Sequence, residues 1–401
     1  MHILVLNAGS SSHKLCCYAV TAAAVAPQRS LWSAQIDWHV EHVEIRIRSG
    51  GQTHQESCAI APRKGVLSRV VQTLWQGPQA VLAAASAIEG IGHRVVHGGA
   101  DHQQSTVITT DVKATIDRLR EWAPIHNPIN LEGIELMEQI LPDVPQVAVF
   151  DTAFHSQMPM VATLYPGPYD WFEQGIRRYG FHGISHQYCA QRAAQLSGQS
   201  LNRLRLIVCH LGNGGSLTAI KNGRSIDTTM GFTPLDGLMM GSRSGAVDPG
   251  ILIHLMRQGH TADEIDHVLN QESGLKGISG VSNDLRAITQ AIADGVPRAR
   301  LARDLYLHRL KACLGSLIVG LEGLDGLVFT AGIGEHSPDV RAAVCQSLGF
   351  LGVTLNETKN SNASQDEEIS RPDSRIRVWV SYTQEDWAIA QDCWQLLRPK
   401  P

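Results

Sequence analysis

Two related α/β halves are what this amino-acid sequence predicts, and three observations carry the reading. Short apolar runs end abruptly in glycine- and serine-rich turns, and segments with helical periodicity follow them. The order apolar strand, polar turn, strand occurs at the start of the chain and again past its midpoint. At 401 residues the chain is also longer than one hydrophobic core commonly holds, so two domains are expected. With 43% apolar and 18% charged residues the composition is that of an ordinary globular protein. The 34 basic and 38 acidic residues leave a net charge of −4, which argues against nucleic acid or a membrane surface as the main partner. No apolar run approaches the ~18 residues of a membrane span. Met1 leads almost directly into a strand with no signal-peptide pattern, so the cytoplasm is the expected compartment. The eight cysteines form no C-x-x-C pair and several sit in apolar runs, as buried reduced thiols do.

The first element is the run 3–6 (ILVL), long enough for a buried strand and too short for a helix. The chain turns sharply after it. Gly9 frees the backbone there, Asn7, Ser10, Ser11 and Ser12 offer short polar groups, and Lys14 adds a positive charge before a second strand over 16–20. Such a concave, donor-rich edge suits phosphate, although a plain serine-tipped hairpin has the same pattern. HVEIRIR over 42–48 puts Val43, Ile45 and Ile47 on one face, and Ser49-Gly50-Gly51 supplies a turn. A helix is expected over 63–75, stopped at Gly77-Pro78. The segment 87–96 returns as strand or loop and delivers His93-Arg94-Val95-Val96-His97-Gly98-Gly99. Val112, Ile116, Leu119 and Trp122 fall at helical spacing from residue 110 until Pro124 stops them. A second helix is expected over 131–141, after a break at Asn127-Pro128, with His126 in the rigid loop between. The strand 147–150 ends at Asp151, a position where α/β proteins place their chemistry.

The second half starts over after Tyr179-Gly180-Phe181-His182-Gly183. Ser185 is expected to cap a helix that Gly198 closes. The buried strand 206–209 leads into His210-Leu211-Gly212-Asn213-Gly214-Gly215-Ser216, then a strand over 217–220 and a hairpin turn at 221–224. This repeats the N-terminal order, and two such halves would set two phosphate cradles across one cleft. Helices follow as far as the buried strand 327–330, which ends in Ala331-Gly332-Ile333-Gly334-Glu335-His336. Ser337 and Pro338 are expected to open a helix that Gly349 closes, a strand, glycine turn and helix start suited to nucleotide phosphates. Residues 359–370 read as a surface loop, 377–380 as the last strand, and the segment from 384 as a closing helix.

VLNAGSSSHK, GHRVVHGG, APIHNP, VFDTAFH, RRYGFHGISH, CHLGNGGS, MGSRSGAVDPG and FTAGIGE, in this order over the whole chain, closely resemble the acetate kinase family. The resemblance implies two duplicated α/β domains of the actin/Hsp70/sugar-kinase type, which are ribonuclease H-like, flanking a nucleotide cleft. They would comprise residues 1–152 with 386–401, and a nucleotide-binding and dimerisation domain over 153–385. It further implies a homodimer and reversible, magnesium-dependent phosphoryl transfer from ATP to acetate, giving acetyl phosphate and ADP. Manganese is the alternative ion.

Phosphoryl transfer needs charge neutralisation and alignment more than covalent chemistry, and the residues that match the family sort by that demand. Arg94 and Arg243 match its two active-site arginines, whose planar guanidinium can grip a carboxylate or phosphoryl group bidentately. A lone arginine is ordinarily a solvated surface cation. These two sit in an apolar strand before two glycines and in a tight Gly-Ser-Arg-Ser-Gly loop. Asp151 matches the family's essential aspartate. A carboxylic acid substrate is already ionised at neutral pH, so Asp151 is expected to orient an arginine or the metal shell rather than act as a base. His182 matches the histidine that stabilises the transferring phosphoryl group. His126 and His210 match further cleft histidines, His126 on the substrate side. Asn7 and Glu385 match the magnesium positions. For ATP the resemblance points to Lys14, to His210, Leu211, Gly212, Asn213 and Gly214, to Asp284, Leu285 and Arg286, and to Gly332, Ile333, Gly334, Glu335 and His336. Val96, Ile125, Phe181 and Pro234 match the apolar pocket for the small acid.

A dinucleotide fold is the rival for Gly332-x-Gly334, but Ser337 stands at the third glycine position, and no Walker-type G-x-x-x-x-G-K-S/T occurs. Three departures stand out: His336 for the usual asparagine, Ala246 for an aspartate after the Arg-Ser-Gly turn, and His13 for a leucine. Propionate remains an alternative acceptor, since one methylene in an apolar pocket is worth only about 1–3 kcal/mol. A nucleotide-binding regulator without catalysis is the reading from another class. It would need none of Arg94, Asp151, His182, Arg243 and Glu385 together.

Overall fold

A computed structural model describes residues 1–9, 11–23, 26–364 and 366–398. Ser10 of the first turn lies outside the described residues. The chain forms two compact units, Met1–Ala153 with Gln384–Pro401, and Phe154–Thr383.

The first unit is built on an eight-stranded sheet. Its strands are β1 (His2–Ala8), β2 (Ser12–Ala19), β3 (Trp32–Trp38), β4 (His42–Ser49), β5 (Gln52–Ala59), β6 (Ile88–Val95), β7 (Thr106–Val107) and β8 (Gln146–Phe150), in the order β5-β4-β3-β2-β1-β6-β8-β7. β1 is the axis of this sheet: antiparallel to β2 on one side, with Asn7 opposite Lys14, and parallel to β6 on the other. Ile3, Leu4, Val5 and Leu6 are all buried, as a strand covered on both faces requires. The closing helix Glu385–Leu397 packs on β1 and β6.

The second unit repeats that plan. β9 (Arg205–Leu211), β10 (Gly215–Lys221), β11 (Arg224–Thr228), β12 (Gly326–Thr330), β13 (Glu367–Glu368) and β14 (Arg377–Val380) lie in the order β11-β10-β9-β12-β14-β13. β9 is antiparallel to β10 and parallel to β12, as β1 is to β2 and β6. The core strands β3-β2-β1-β6-β8 and β11-β10-β9-β12-β14 therefore share one topology. The 221–224 hairpin turn has Asn222 and Gly223 both at positive φ, the backbone a tight two-residue hairpin needs.

Several element boundaries differ from the sequence reading. The second helix runs Asn127–Ile140, with Pro128 in its first turn, where the missing N–H costs nothing. Asn-Pro marks a helix start there, not a break. Ser185 does not cap its helix: Gly183–Ser197 begins after His182, which holds φ +59°, and Ser185 lies inside the first turn. Gly198 closes that helix in the left-handed conformation as expected. Residues 331–336 are a short helix of their own before Pro338–Ser347, and Ser337 makes no side-chain cap bond. The stretch expected as a loop over 359–370 contains the helix Glu357–Asn362, capped by the Asn356 side chain accepting from the Lys359 N–H at 3.0 Å, and then β13. All eight cysteines are unpaired. Among the described residues no helix is long and apolar enough to cross a membrane.

Candidate active site

In the first unit the neighbouring parallel strands β6 and β8 end together, Val95 opposite Phe150, and the ladder extends one step through Asp151 N–H to the Val95 carbonyl at 3.0 Å. That alignment brings Arg94 beside Asp151. Arg94 donates from Nε to Asp151 Oδ1 at 3.0 Å and from Nη2 to Oδ2 at 2.6 Å, a bidentate pair whose carboxylate is buried. Burial works against the Arg94 charge, but Asp151, Glu385 and Asp386 outweigh it and raise the guanidinium's pKa further. Gly98 is obligatory just beyond: a Cβ there would lie 2.9 Å from the His102 carbonyl and from the Phe150 ring. Asn127 and Asn130, at the start of the Asn127–Ile140 helix, hold the following backbone. Their Oδ1 atoms accept from the His97 and Val96 N–H groups at 3.1 Å each, and Asn130 donates to the Ala8 carbonyl at 3.0 Å.

Glu385 and Asp386 open the closing helix, and Lys14 acts on Asp386 electrostatically. Burial, then the Glu385 charge, raise the Asp386 pKa, and its Oδ2 lies 3.6 Å from the Cys16 thiol. The surroundings of Arg94 are thus rich in carboxylate oxygen, with the Asn7 amide on β1, the strand the closing helix packs against. This is the donor chemistry a hard divalent cation takes. Val96 is buried, Ile125 is exposed, and His126 occupies the position before Asn127.

The second unit gathers histidines around serine hydroxyls. His182 Nδ1 lies 2.9 Å from Ser216 Oγ, and His186 Nε2 lies 2.7 Å from the same oxygen. The His182 and His210 rings stack at 4.1 Å, and His210 Nδ1 lies 2.8 Å from Ser185 Oγ. Gly214 keeps space open beside them. A Cβ on it would sit 3.5 Å from Arg243 Nη1 and 3.7 Å from His182 Nε2. Arg243 donates to the Pro234 carbonyl at 3.3 Å and has no ion-pair partner among the described residues; burial lowers its pKa. Phe181 is fully buried, its carbonyl accepting from His155 Nε2 at 3.0 Å.

The three expected nucleotide segments of this unit are held tightly. The 210–214 turn closes through Gly212 N–H to the Gly214 carbonyl at 2.9 Å, and Asn213 is fixed by Gly241 N–H to its own carbonyl at 3.0 Å. A Cβ on Gly241 would meet the Asn283 carbonyl at 2.9 Å as well as Asn213 Oδ1 at 2.2 Å, so only glycine fits. Asp284 caps the Leu285–Ala293 helix and pairs with the exposed Arg286 at 2.6 Å. At 331–336, Ala331 takes φ +63°, and Glu335 Oε1 accepts from the Ala331 and Thr383 N–H groups at 2.9 and 2.8 Å. Gly332 faces open space, whereas Gly334 packs against the Phe329 backbone.

The acetokinase family profile matches residues 2–391. The chain belongs to the acetokinase family. The acetate kinase of Acaryochloris marina is 59% identical over 397 residues, covering 98% of this chain and 99% of that protein. The acetate kinase of Gloeobacter violaceus is 57% identical over 404 residues, 99% and 100% of the two chains. Among solved structures, the Porphyromonas gingivalis acetate kinase aligns with a TM-score of 0.91 at 37% identity, covering 99% of this chain and all of that one. A propionate kinase from Francisella tularensis aligns with 0.90 at 37% identity over 98% and 99%. The fold is the one these kinases have, of the actin/Hsp70/sugar-kinase type.

For this acetokinase-family chain the sequence-derived residues fall into two sets. Asn7, Lys14, Arg94, Val96, Ile125, His126, Asp151 and Glu385 belong to the first unit, and Phe181, His182, His210, Pro234, Arg243 and the remaining nucleotide candidates to the second. Lys14 is therefore in a different unit from the other expected nucleotide residues. Leu211 and Leu285 are buried in the second unit's core and Ile333 packs against it, so those side chains are core groups. Glu335 turns its carboxylate inward, as a pin on the 331–336 turn. The departures also have their surroundings. His336 is exposed, 3.8 Å from Glu335 and edge-on to Tyr382. His13 is buried and its Nδ1 accepts from the Trp38 indole at 2.8 Å, so a polar pair stands where leucine is usual. Ala246 is exposed, and among the described residues Arg243 has no carboxylate ion-pair partner. Sequence reasoning missed Asn127, Asn130, His186, Ser216 and Asp386. Each lay within a motif already singled out or at most two residues from one.

Proposed function

We propose that this chain transfers the γ-phosphoryl group of ATP directly and in line to acetate, reversibly giving acetyl phosphate and ADP in the cytoplasm. Family membership makes it a phosphotransferase with a carboxyl acceptor. The observation that carries the finer reading is Arg243, a largely desolvated guanidinium with no carboxylate partner among the described residues, set beside His182 across the space that Gly214 leaves open. A half-buried cation is poorly solvated until an anion arrives. A transferring phosphoryl group is such an anion.

The acceptor is ionised at neutral pH, so no base is required. A carboxylate oxygen forms the new bond to the γ-phosphorus as the bridging bond to ADP breaks, and ADP leaves with the electron pair. Asp151 occupies Nε–H and one Nη2–H of Arg94, which leaves the other edge of that guanidinium to grip the acid or the phosphoryl group. Donors from Arg243 and His182 are most valuable as charge shifts between phosphoryl oxygens in the transition state. Magnesium, or manganese in its place, would be held by Asn7 and Glu385, and when bound supplies neutralisation of nucleotide phosphate charge. The segments 210–214, 284–286 and 332–336 make the second unit the nucleotide-binding one.

Propionate is the second acceptor, favoured by the equal 37% identity to an acetate kinase and to a propionate kinase of known structure. A homodimer is supported by the helix Pro249–Arg257. It has no buried residue, although Ile251, Ile253 and Met256 are apolar and 47–50% exposed. Ile253→Glu should shift sedimentation toward monomer.

The deciding assay is ADP release from magnesium-ATP with acetate, propionate, butyrate or no acid. Acid-dependent turnover with acetate giving the highest kcat/KM supports the proposal, whereas ATP binding without acid-dependent turnover rejects it.

A further inference from the structure

We propose that Ser216 and His186 are positioning residues for His182, forming a one-way relay from His186 Nε2–H to Ser216 Oγ and from the Ser216 hydroxyl to His182 Nδ1. The relay keeps the ring proton of His182 on Nε2, the nitrogen nearest the Gly214 opening. The inference rests on the reading of His182 as a phosphoryl-stabilising donor and supplies what that reading lacks, a reason for the donor to be in place before substrate arrives.

The argument is one of proton counting. Ser216 is fully buried, on β10, and its hydroxyl oxygen has two partners, His182 Nδ1 at 2.9 Å and His186 Nε2 at 2.7 Å. A serine hydroxyl carries one proton, so it can donate to only one of the two rings, and the other ring must donate to it. The choice is set at the far end. His186 is fully buried, and its Nδ1 has no hydrogen-bond partner among the described residues. If Nδ1 carried the ring proton, a buried N–H would be orphaned. With the proton on Nε2, only a lone pair goes unmet, the better tolerated of the two defects. Burial, then the neighbouring His155 and His210, hold His186 neutral, so it cannot escape by carrying both protons. His186 therefore donates from Nε2, Ser216 passes its hydroxyl proton on, and His182 Nδ1 accepts.

A neighbouring pair shows the same arrangement with no freedom left. His155 Nε2 faces the Phe181 carbonyl at 3.0 Å, which can only accept, so Nε2 carries the proton and Nδ1 accepts from Ser225 Oγ at 2.9 Å. Serine hydroxyl to Nδ1, with the proton on Nε2, is thus already fixed once in this cluster. The left-handed backbone at His182, φ +59°, is a strained choice for a side chain of this size, and it coincides with the ring that the relay orients.

Neutron diffraction from deuterium-exchanged crystals of the full chain tests the relay directly. Deuterium on Nε2 of both His182 and His186, with Nδ1 of both bare, is the expected result, and deuterium on Nδ1 of either ring overturns it. The kinetic arm compares Ser216→Ala with Ser216→Thr, which keeps a hydroxyl. The alanine variant should lose about tenfold or more in kcat with KM nearly unchanged, and threonine should restore most of it. Wild-type kcat in a folded Ser216→Ala protein, confirmed by an unchanged unfolding temperature, overturns the positioning role. Should that variant fail to fold, the neutron result on the wild type still decides. His182→Ala separates the two claims: full activity in it would refute the role given to His182, leaving the proton positions to be judged by the diffraction alone.

Discussion

Arg94 and Arg243 are the same side chain in two electrostatic settings, and the difference assigns their tasks. Arg94 is clamped by Asp151 through two bonds and raised further by Glu385 and Asp386, so its plane is fixed before any ligand binds. Among the described residues Arg243 has a carbonyl partner, no carboxylate, and a desolvated environment, so its charge is left for an anion. Both arginines were legible from sequence through their glycine-flanked motifs. Their unlike pairing was not, because it depends on strand register between residues 57 positions apart. Gly214 offers a sharp test at this scale. An added Cβ would meet Arg243 and His182 at ordinary contact distance, so Gly214→Ala should fold with an unchanged unfolding temperature. It would still narrow the space between the two donors. We expect kcat to fall about 10²-fold, the scale of losing one transition-state donor; a kcat within twofold of wild type would show that the space is not used.

At the scale of elements, the 331–336 turn shows how strain is held in place. Ala331 sits at φ +63°, where a side chain is disfavoured, and the buried Glu335 carboxylate ties Ala331 to Thr383 through main-chain bonds. Burial raises the Glu335 pKa, and the hydrogen bonds from Thr383 and Ala331 oppose that rise. Glu335→Gln keeps one acceptor but loses the charge on both bonds, so it should destabilise the protein by about 1–3 kcal/mol. It should also raise KM for ATP more than it lowers kcat, as denaturant melts and steady-state kinetics would read out. The sequence announced this turn by its glycines but left its helical geometry hidden, since Ala331 is not a residue that advertises positive φ. Asn127-Pro128 and Ser185 misled for a related reason. Each residue type has two uses, break or helix start, cap or internal hydroxyl, and tertiary partners choose between them.

For the whole molecule, one strand order is used twice, and that was legible because both copies begin with an apolar run ending in a polar turn. The buried histidines were not, since a histidine in a sequence looks alike whether wet or dry. His13, His93, His97 and His155 are held neutral chiefly by burial, with pKa values lowered to about 4, and His186 is lowered well below the usual value. Because these folded-state values lie below the unfolded 6.5, the unfolded chain binds more protons between about pH 6.5 and 4. The contribution of His13, His93, His97 and His155, on the order of 3 kcal/mol each at most, is complete above pH 6.5 and lost as pH falls through that window, and that of His186 has the same sign. Both units carry such histidines, so both should melt earlier as pH drops from 6.5 to 4.5; a flat unfolding temperature over that range would contradict the burial argument. The measurement that tests the central claim most directly is acetate-dependent ADP release by wild type and by Arg243→Ala at matched folding. The account predicts turnover that requires acetate in the first and falls about 10²-fold or more in the second. Equal turnover in both would mean that Arg243 does not meet the transferring group.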